Sequence, residues 1–158
     1  MLFTRFTQDA RQVVARSHAE AARAGSGTIE AEHLLLALSA VDGPAAHALA
    51  TAGADHETLT AALRDEREAA LQAVGVSTAD YDLPDPPTTP AARNLPFATS
   101  AKTALERTLR AAAAEKASRV EGTHVLLGVL AAEQGTVPRA LRIAGVDRDA
   151  VRAGVERG

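Results

Sequence analysis

Cysteine and tryptophan are both missing from the 158 residues. Without cysteine there are no disulfides, thiolate nucleophiles or thiolate metal sites, which fits a reducing compartment. Aromatic residues amount to only 3%, so a core has to be packed with Ala, Leu and Val, a composition that lets helices approach closely. Long hydrophobic runs are lacking too. No stretch approaches 18 apolar residues, and Arg5, Asp9 and Arg11 near the start have no apolar run behind them. Neither a membrane span nor a signal peptide is expected, and a cytoplasmic location is. Charge of one sign does not dominate either: the net charge is −3 with both signs interspersed, which argues against a nucleic-acid footprint. Lysine is confined to Lys102, after Ala101, and Lys116, after Glu115. A phosphate-cradling P-loop needs Gly-Lys-Ser or Gly-Lys-Thr, so P-loop ATPase chemistry is excluded. With 46% apolar and 23% charged residues, the chain reads as a folded, soluble object, either one compact domain or two half-domains sharing a core.

What is present is said twice. Phe6-Thr7-Gln8-Asp9-Ala10 and then Glu32-His33-Leu34-Leu35-Leu36 in the first half answer to Phe97-Ala98-Thr99-Ser100-Ala101 and Thr123-His124-Val125-Leu126-Leu127 in the second. Phe97 follows Phe6, and His124 follows His33, by 91 residues (97 − 6; 124 − 33). A fixed offset of this kind reports a duplicated supersecondary unit.

Within the first copy, Thr7 reads as the cap of a helix with small or apolar residues at Ala10, Val13, Val14, Ala21 and Ala22, ending near Gly25. A short helix through Leu34, Leu35, Leu36 and Leu38 follows, buried on most sides. Asp42-Gly43-Pro44 reads as cap and first-turn proline of a third helix that closes at Gly53. Asp55 caps a fourth, through Leu59, Leu63 and Leu71 to about Val74. The second copy repeats these signals with helices from Thr99, over Val125 to Leu130, from Thr136 to a stop at Gly145, and from Asp147. Sustained alternation of apolar and polar residues is lacking, so strands are not expected. The predicted fold is all-α: two four-helix repeats, residues 1–74 and 97–158, packed into one compact domain. Between them, residues 75–96 hold Pro84, Pro86, Pro87, Pro90 and Pro96 with Asp80, Asp82 and Asp85, which suits an extended, solvated connector.

This pattern resembles the Clp N-terminal domain, the double-repeat helical module that precedes the ATPase rings of ClpC- and ClpA-type protein unfoldases. The carriers are Arg5-Phe6-Thr7, Glu32-His33-Leu34-Leu35-Leu36-Ala37-Leu38, Ala48-Leu49 to Gly53, Pro96-Phe97, Ala101-Lys102, Leu105-Glu106 and His124-Val125-Leu126-Leu127-Gly128. Each is a weak motif by itself, and their order and double occurrence are specific. The ClpC branch fits better than the ClpA branch. The resemblance implies a receptor for degradation substrates, adaptors and peptide ligands, with ATP hydrolysis residing in domains this sequence does not contain. The enlarged connector favours a free-standing homologue over an excised N-terminal domain of a full-length ATPase.

The resemblance to ClpC also implies phosphoarginine as a ligand. The chemistry is intelligible, because helix N-terminal amides suit a phosphate and a neighbouring carboxylate suits a guanidinium. The matching positions in the first repeat are Thr7 and Glu32; in the second they are Ala98 and Thr123. Threonine supplies no negative charge, and a lost charged hydrogen bond costs about 1.5–3 kcal/mol, so the second pocket is expected to be impaired. Read without the resemblance, Glu32 is an exposed first-turn carboxylate that merely suits the helix dipole. A further set, Phe3, Val13, Val14, Phe97, Lys102, Glu106 and Leu109, matches positions where ClpC-type domains of actinobacteria receive cyclic peptide antibiotics. For Val13, Val14 and Leu109 the alternative is inter-repeat core, and for Lys102 and Glu106 a solvated i, i+4 pair.

His33 and His124 stand in equivalent places ahead of the leucine runs. No second ligand converges on either, so a metal is not expected; the favoured role is structural, a ring nitrogen bonded to backbone. His18, His47 and His56 have no repeat counterpart and are read as surface or partly buried residues without chemistry. Acid–base catalysis at Glu32-His33 is disfavoured because adjacent helical residues diverge by roughly 100°. A helix-turn-helix regulator explains the duplication poorly. The sequence thus predicts a non-enzymatic binding module without cofactor, its partners being Clp substrates or adaptors, the ClpC unfoldase and cyclic peptides.

Overall fold

The computed structural model describes residues 2–76 and 94–158; the prolines and aspartates between 80 and 90 that suggested a connector lie outside the described residues. A 3₁₀ turn, Leu2–Arg5, leads into α1 (Gln8–Arg23), α2 (Ala31–Ala40), α3 (Pro44–Thr51) and α4 (His56–Ala73). The second half repeats the order with α5 (Thr99–Ala114), α6 (Gly122–Leu130), α7 (Thr136–Ile143) and α8 (Arg148–Glu156). Among the described residues the architecture is all-α, with two isolated bridges in place of strands.

Those bridges determine how the halves combine. Phe6 pairs in parallel with Val120, and Ile29 with Phe97. The Val120 N–H donates to the Arg5 carbonyl and its own carbonyl accepts from Thr7, both at 2.9 Å; Ile29 does the same with Pro96 and Ala98, also at 2.9 Å. The segment ahead of each long first helix is therefore bonded to the other repeat. Helix packing is exchanged as well: α3 lies on α8, α4 lies on α7, and α2 meets α6 at the centre. α2 and α6 are the apolar middle, with Leu34, Leu35, Leu38, Leu126 and Leu130 fully buried alongside Phe6, Ile29, Leu49, Leu59, Val120 and Leu141. Each such side chain contributes about 1.5–3 kcal/mol of burial.

Several caps differ from the sequence reading. Thr7 occupies the N-cap position of α1, but its hydroxyl bonds the Asp9 carboxylate and the Val120 carbonyl instead of a first-turn amide. Gly43, and not Asp42, is the N-cap of α3, because the chain enters that helix at φ 151, a region L side chains rarely adopt. Asp55 does cap α4, accepting from Thr58 at 2.8 Å, and Asp147 caps α8, accepting from Asp149 at 2.9 Å. The end of α6 is held from outside: Arg148 and Arg152 on α8 donate to the Leu130 carbonyl at 3.1 and 3.0 Å, satisfying acceptors that a helix end leaves open.

Candidate functional site

α2 begins at a junction of both repeats. The Ala31 N–H at its first position donates to the Ser100 hydroxyl of α5 at 2.9 Å, and that hydroxyl donates to Glu30 at 2.5 Å. His33 Nδ1 accepts from the Glu30 N–H at 2.9 Å, which closes the turn from within; His124 treats the Glu121 N–H identically, also at 2.9 Å, and its Nε2 meets Glu115 at 2.9 Å. Because Nδ1 is an acceptor, the ring carries its proton on Nε2. Burial lowers the His33 pKa below 6.5, against the opposing pull of Glu30 and Glu20.

Past this cap, the start of α2 opens into a cleft of about 630 Å³, bounded by the first turns of α5 and by the turn leading into α7; Glu30, Glu32, Ser100, Thr103, Arg107 and Arg139 line it. Glu32 is half-buried there. Burial raises its carboxyl above the ordinary 4.5, Glu30 and Glu66 push it further, and its own backbone amide and Arg139 act the other way. Arg139 is already engaged, its Nε bonded to the buried Glu66 of α4 at 2.8 Å. No hydrogen bond or ion pair reaches the Glu32 carboxylate from another side chain among the described residues. Carboxylates displaced upward in a cleft are candidates for ligand contact.

Thr7 and Glu32, expected to share a pocket, do not meet. α1 separates them: its 16 residues span about 24 Å, with Thr7 at one end and the short turn into α2 at the other. The bridges give each to the opposite repeat. Thr7 lies at the start of α6, where Asp9 accepts from the Gly122 N–H at 3.0 Å and Thr123 stands next in line. Glu32 lies at the junction where Ala98, bonded to Ile29, and Ser100 enter α5. The carboxylate thus faces the alanine copy of the helix start, and the threonine faces the Thr123 copy.

The residues matched to cyclic peptides are partly assembled. Phe3 stacks edge-on against Phe6 at 5.1 Å and lies 6.3 Å from Phe97, joining the two repeats. Val13 is buried, Val14 and Leu109 are half-buried against the core, and Lys102 and Glu106 are exposed on α5. His18 joins this cluster with its ring 6.0 Å from Phe97, and its buried Nδ1 has no partner among the described residues. His56 pairs with the buried Glu20 at 2.9 Å, and Arg16 with the same carboxylate at 3.0 Å. No group of three metal-ligating side chains exists among the described residues.

Sequence reasoning missed Ser100, Arg107, Arg139 and Glu66. For Arg107 a signal was available: Arg16, its repeat equivalent (107 − 16 is again 91), has Glu20 four residues on, whereas Arg107 has Ala111. Glu66 and Arg139 carry no such signal, because α4 and α7 meet only in the folded chain.

Comparison with known proteins follows the same division into halves. The family described as the Clp repeat (R) N-terminal domain matches residues 5–95 and again 96–157. No curated protein matches the chain. Among solved structures, it is similar to the N-terminal domain of the caseinolytic protease associated chaperone ClpD from Arabidopsis thaliana, with a TM-score of 0.69, 21% identity, and coverage of 99% of this chain and 96% of that one. It is also similar to the Hsp104 N-terminal domain from Candida albicans, with a TM-score of 0.68, 17% identity, and coverage of 97% and 91%.

Proposed function

Because this chain belongs to the Clp repeat N-terminal domain family, we propose that it is a non-enzymatic receptor for substrates, adaptors or peptides of a Clp-type degradation system, with phosphoarginine as the ligand of the cleft at Glu32. The observation that carries this reading is the Glu32 carboxylate itself. It is half-buried at a helix start, displaced upward by burial and by Glu30 and Glu66, and no side chain forms a hydrogen bond or ion pair with it among the described residues, Arg139 acting on it only from a distance. A fold retains such a charge at a cost, and a guanidinium entering the cleft removes that cost through paired hydrogen bonds. Ser100, in the first turn of α5, lines the Glu32 cleft, where the ClpC resemblance led us to look for Thr7.

A second ligand class is supported by a separate observation. Phe3 and Phe97 come from different repeats, remain half-buried, and sit beside His18; aromatic anchors of this kind dominate peptide interfaces. Cyclic peptides are the proposed occupants, with Lys102 and Glu106 at the rim. On this reading the domain acts in the cytoplasm by sequestering such ligands. Stable co-purification with an unfoldase ring would instead favour delivery or an excised domain.

Calorimetric titration of a phosphoarginine peptide tests the main reading. Wild type is expected to bind at one site, and Glu32→Ala to bind about ten-fold or more weakly. No binding by wild type at millimolar peptide rules the reading out. A cyclic peptide titrated in parallel tests the aromatic surface, with Phe97→Ala as the variant expected to lose it.

A further inference from the structure

We infer that Arg107 reads the anionic end of the ligand whose cationic end Glu32 receives, so that the cleft selects a group carrying both charges over one carrying a cation alone. The inference rests on the proposed role of Glu32 and extends it to the far side of the cleft.

Two observations carry it. Glu32 and Arg107 line the same hollow, and among the described residues neither charged group is engaged by a hydrogen bond or an ion pair, with each other or with any other side chain. Two opposite charges left uncompensated in one cleft form a template for a ligand with the reverse arrangement. Arg139, the other cation there, already holds Glu66 at 2.8 Å.

The repeat-related place supplies the contrast. There, Arg16 is bonded to Glu20 at 3.0 Å, Thr123 replaces Glu32, and the first amide of α6 is held by the Asp9 carboxylate at 3.0 Å, where α2 has the neutral Ser100 hydroxyl at 2.9 Å. Arg16, Glu20 and Asp9 are thus each engaged within the chain on that side. On the Glu32 side, Ala111 in place of a glutamate leaves Arg107 available, and its planar fork matches phosphate or carboxylate. The shared ligand chemistry is a guanidinium tied to an anion. Phosphoarginine supplies it, and so does an arginine at a polypeptide C-terminus.

Fluorescence anisotropy with four peptides of one sequence tests this: internal phosphoarginine, internal arginine, C-terminal arginine with a free carboxylate, and the same with a C-terminal amide. Wild type is expected to prefer at least one anion-bearing peptide over its anion-free counterpart by about ten-fold, less at high salt. Which pair shows the gap identifies the anion's source. Arg107→Gln is expected to shrink that ratio to within about two-fold, while Arg110→Gln, an exposed α5 arginine outside the cleft, retains it; melting curves check that both variants are folded. A ratio near one in wild type, or a ratio unchanged in Arg107→Gln, overturns the inference and leaves the Glu32 reading intact if Glu32→Gln still loses affinity. If Arg107→Gln collapses the ratio and Glu32→Gln binds like wild type, the role of Arg107 stands and that of Glu32 falls. If none of the peptides binds, both fall.

Discussion

At the scale of residues, Glu32 and His33 are neighbours with opposite pH signatures. Burial leads the causes that raise the Glu32 carboxyl above 4.5, so the folded state favours its protonated form: its contribution is fully present below 4.5 and is lost as pH rises through the elevated value. Glu32→Gln is therefore expected to melt higher than wild type at pH 7, with the gain fading as pH falls toward 4.5, even as ligand affinity drops. A lower melting temperature at pH 7 would contradict it. His33 runs the other way. Burial holds its imidazole below 6.5 and Nδ1 must stay unprotonated to accept from Glu30, so its contribution is present above 6.5 and lost as pH falls through the depressed value. His33→Ala is expected to cost about 1–3 kcal/mol in urea denaturation at pH 7.5, with a smaller further loss on acidification to pH 5 than wild type shows. Both residues were singled out from sequence, His33 by its repeated place ahead of a leucine run and Glu32 by the resemblance to ClpC. The neighbours that displace Glu32 were not, because Glu66 and Arg139 come from distant elements.

Between elements, contact depends on two small residues with different tolerances. A methyl group on Gly128 of α6 would lie 2.4 Å from the Ala104 carbonyl and the Thr108 hydroxyl and 2.7 Å from the Thr108 amide of α5. Those atoms are mostly backbone and cannot retreat without moving the helix, so Gly128→Ala is expected to cost about 1–3 kcal/mol. On Gly154 of α8 the same methyl would lie 3.4 Å from the Ala48 methyl, 3.6 Å from its Cα and 3.9 Å from its carbonyl oxygen, ordinary van der Waals contacts. Gly154→Ala is expected to be neutral or stabilising by up to about 1 kcal/mol, since alanine is the better helix former. Urea denaturation of the two variants side by side checks the contrast; equal destabilisation would count against this packing. The helices themselves were legible: Asp55 and Asp147 cap α4 and α8, Pro44 opens α3, and Gly25, Gly53 and Gly145 follow α1, α3 and α7. The cap of α3 was misplaced by one residue because an aspartate is the commoner signal, and only the backbone at Gly43 reveals the φ that excludes it.

For the whole molecule, the exchange between repeats predicts that neither half is a folding unit. Residues 1–74 lose the main partners of α3 and α4, and residues 97–158 lose those of α7 and α8; each also loses both bridges and the side chain that holds its central helix start. Each fragment by itself is expected to lack a cooperative thermal transition in circular dichroism. Mixing them in equal amounts is expected to restore one, because the bridges and the α3–α8 and α4–α7 contacts do not require the covalent link. Cooperative unfolding of either fragment alone would contradict the exchange.

The sequence by itself determined that this protein is a duplicated all-α fold, since periodicity, caps and a fixed 91-residue offset are local or translational properties that a linear string records in full, and the resemblance its motifs carry pointed to the Clp repeat domain. It also exposed Glu32, His33 and the loss of charge at Thr123. Only the tertiary structure decided which residues share a pocket. An offset maps Thr7 onto Ala98 and Glu32 onto Thr123 whether the repeats stand side by side or trade their leading segments, so the string is silent on that choice. The bridges Phe6–Val120 and Ile29–Phe97 make it, and they separate Thr7 from Glu32 and bring Glu32 together with Ser100, Arg107 and Arg139.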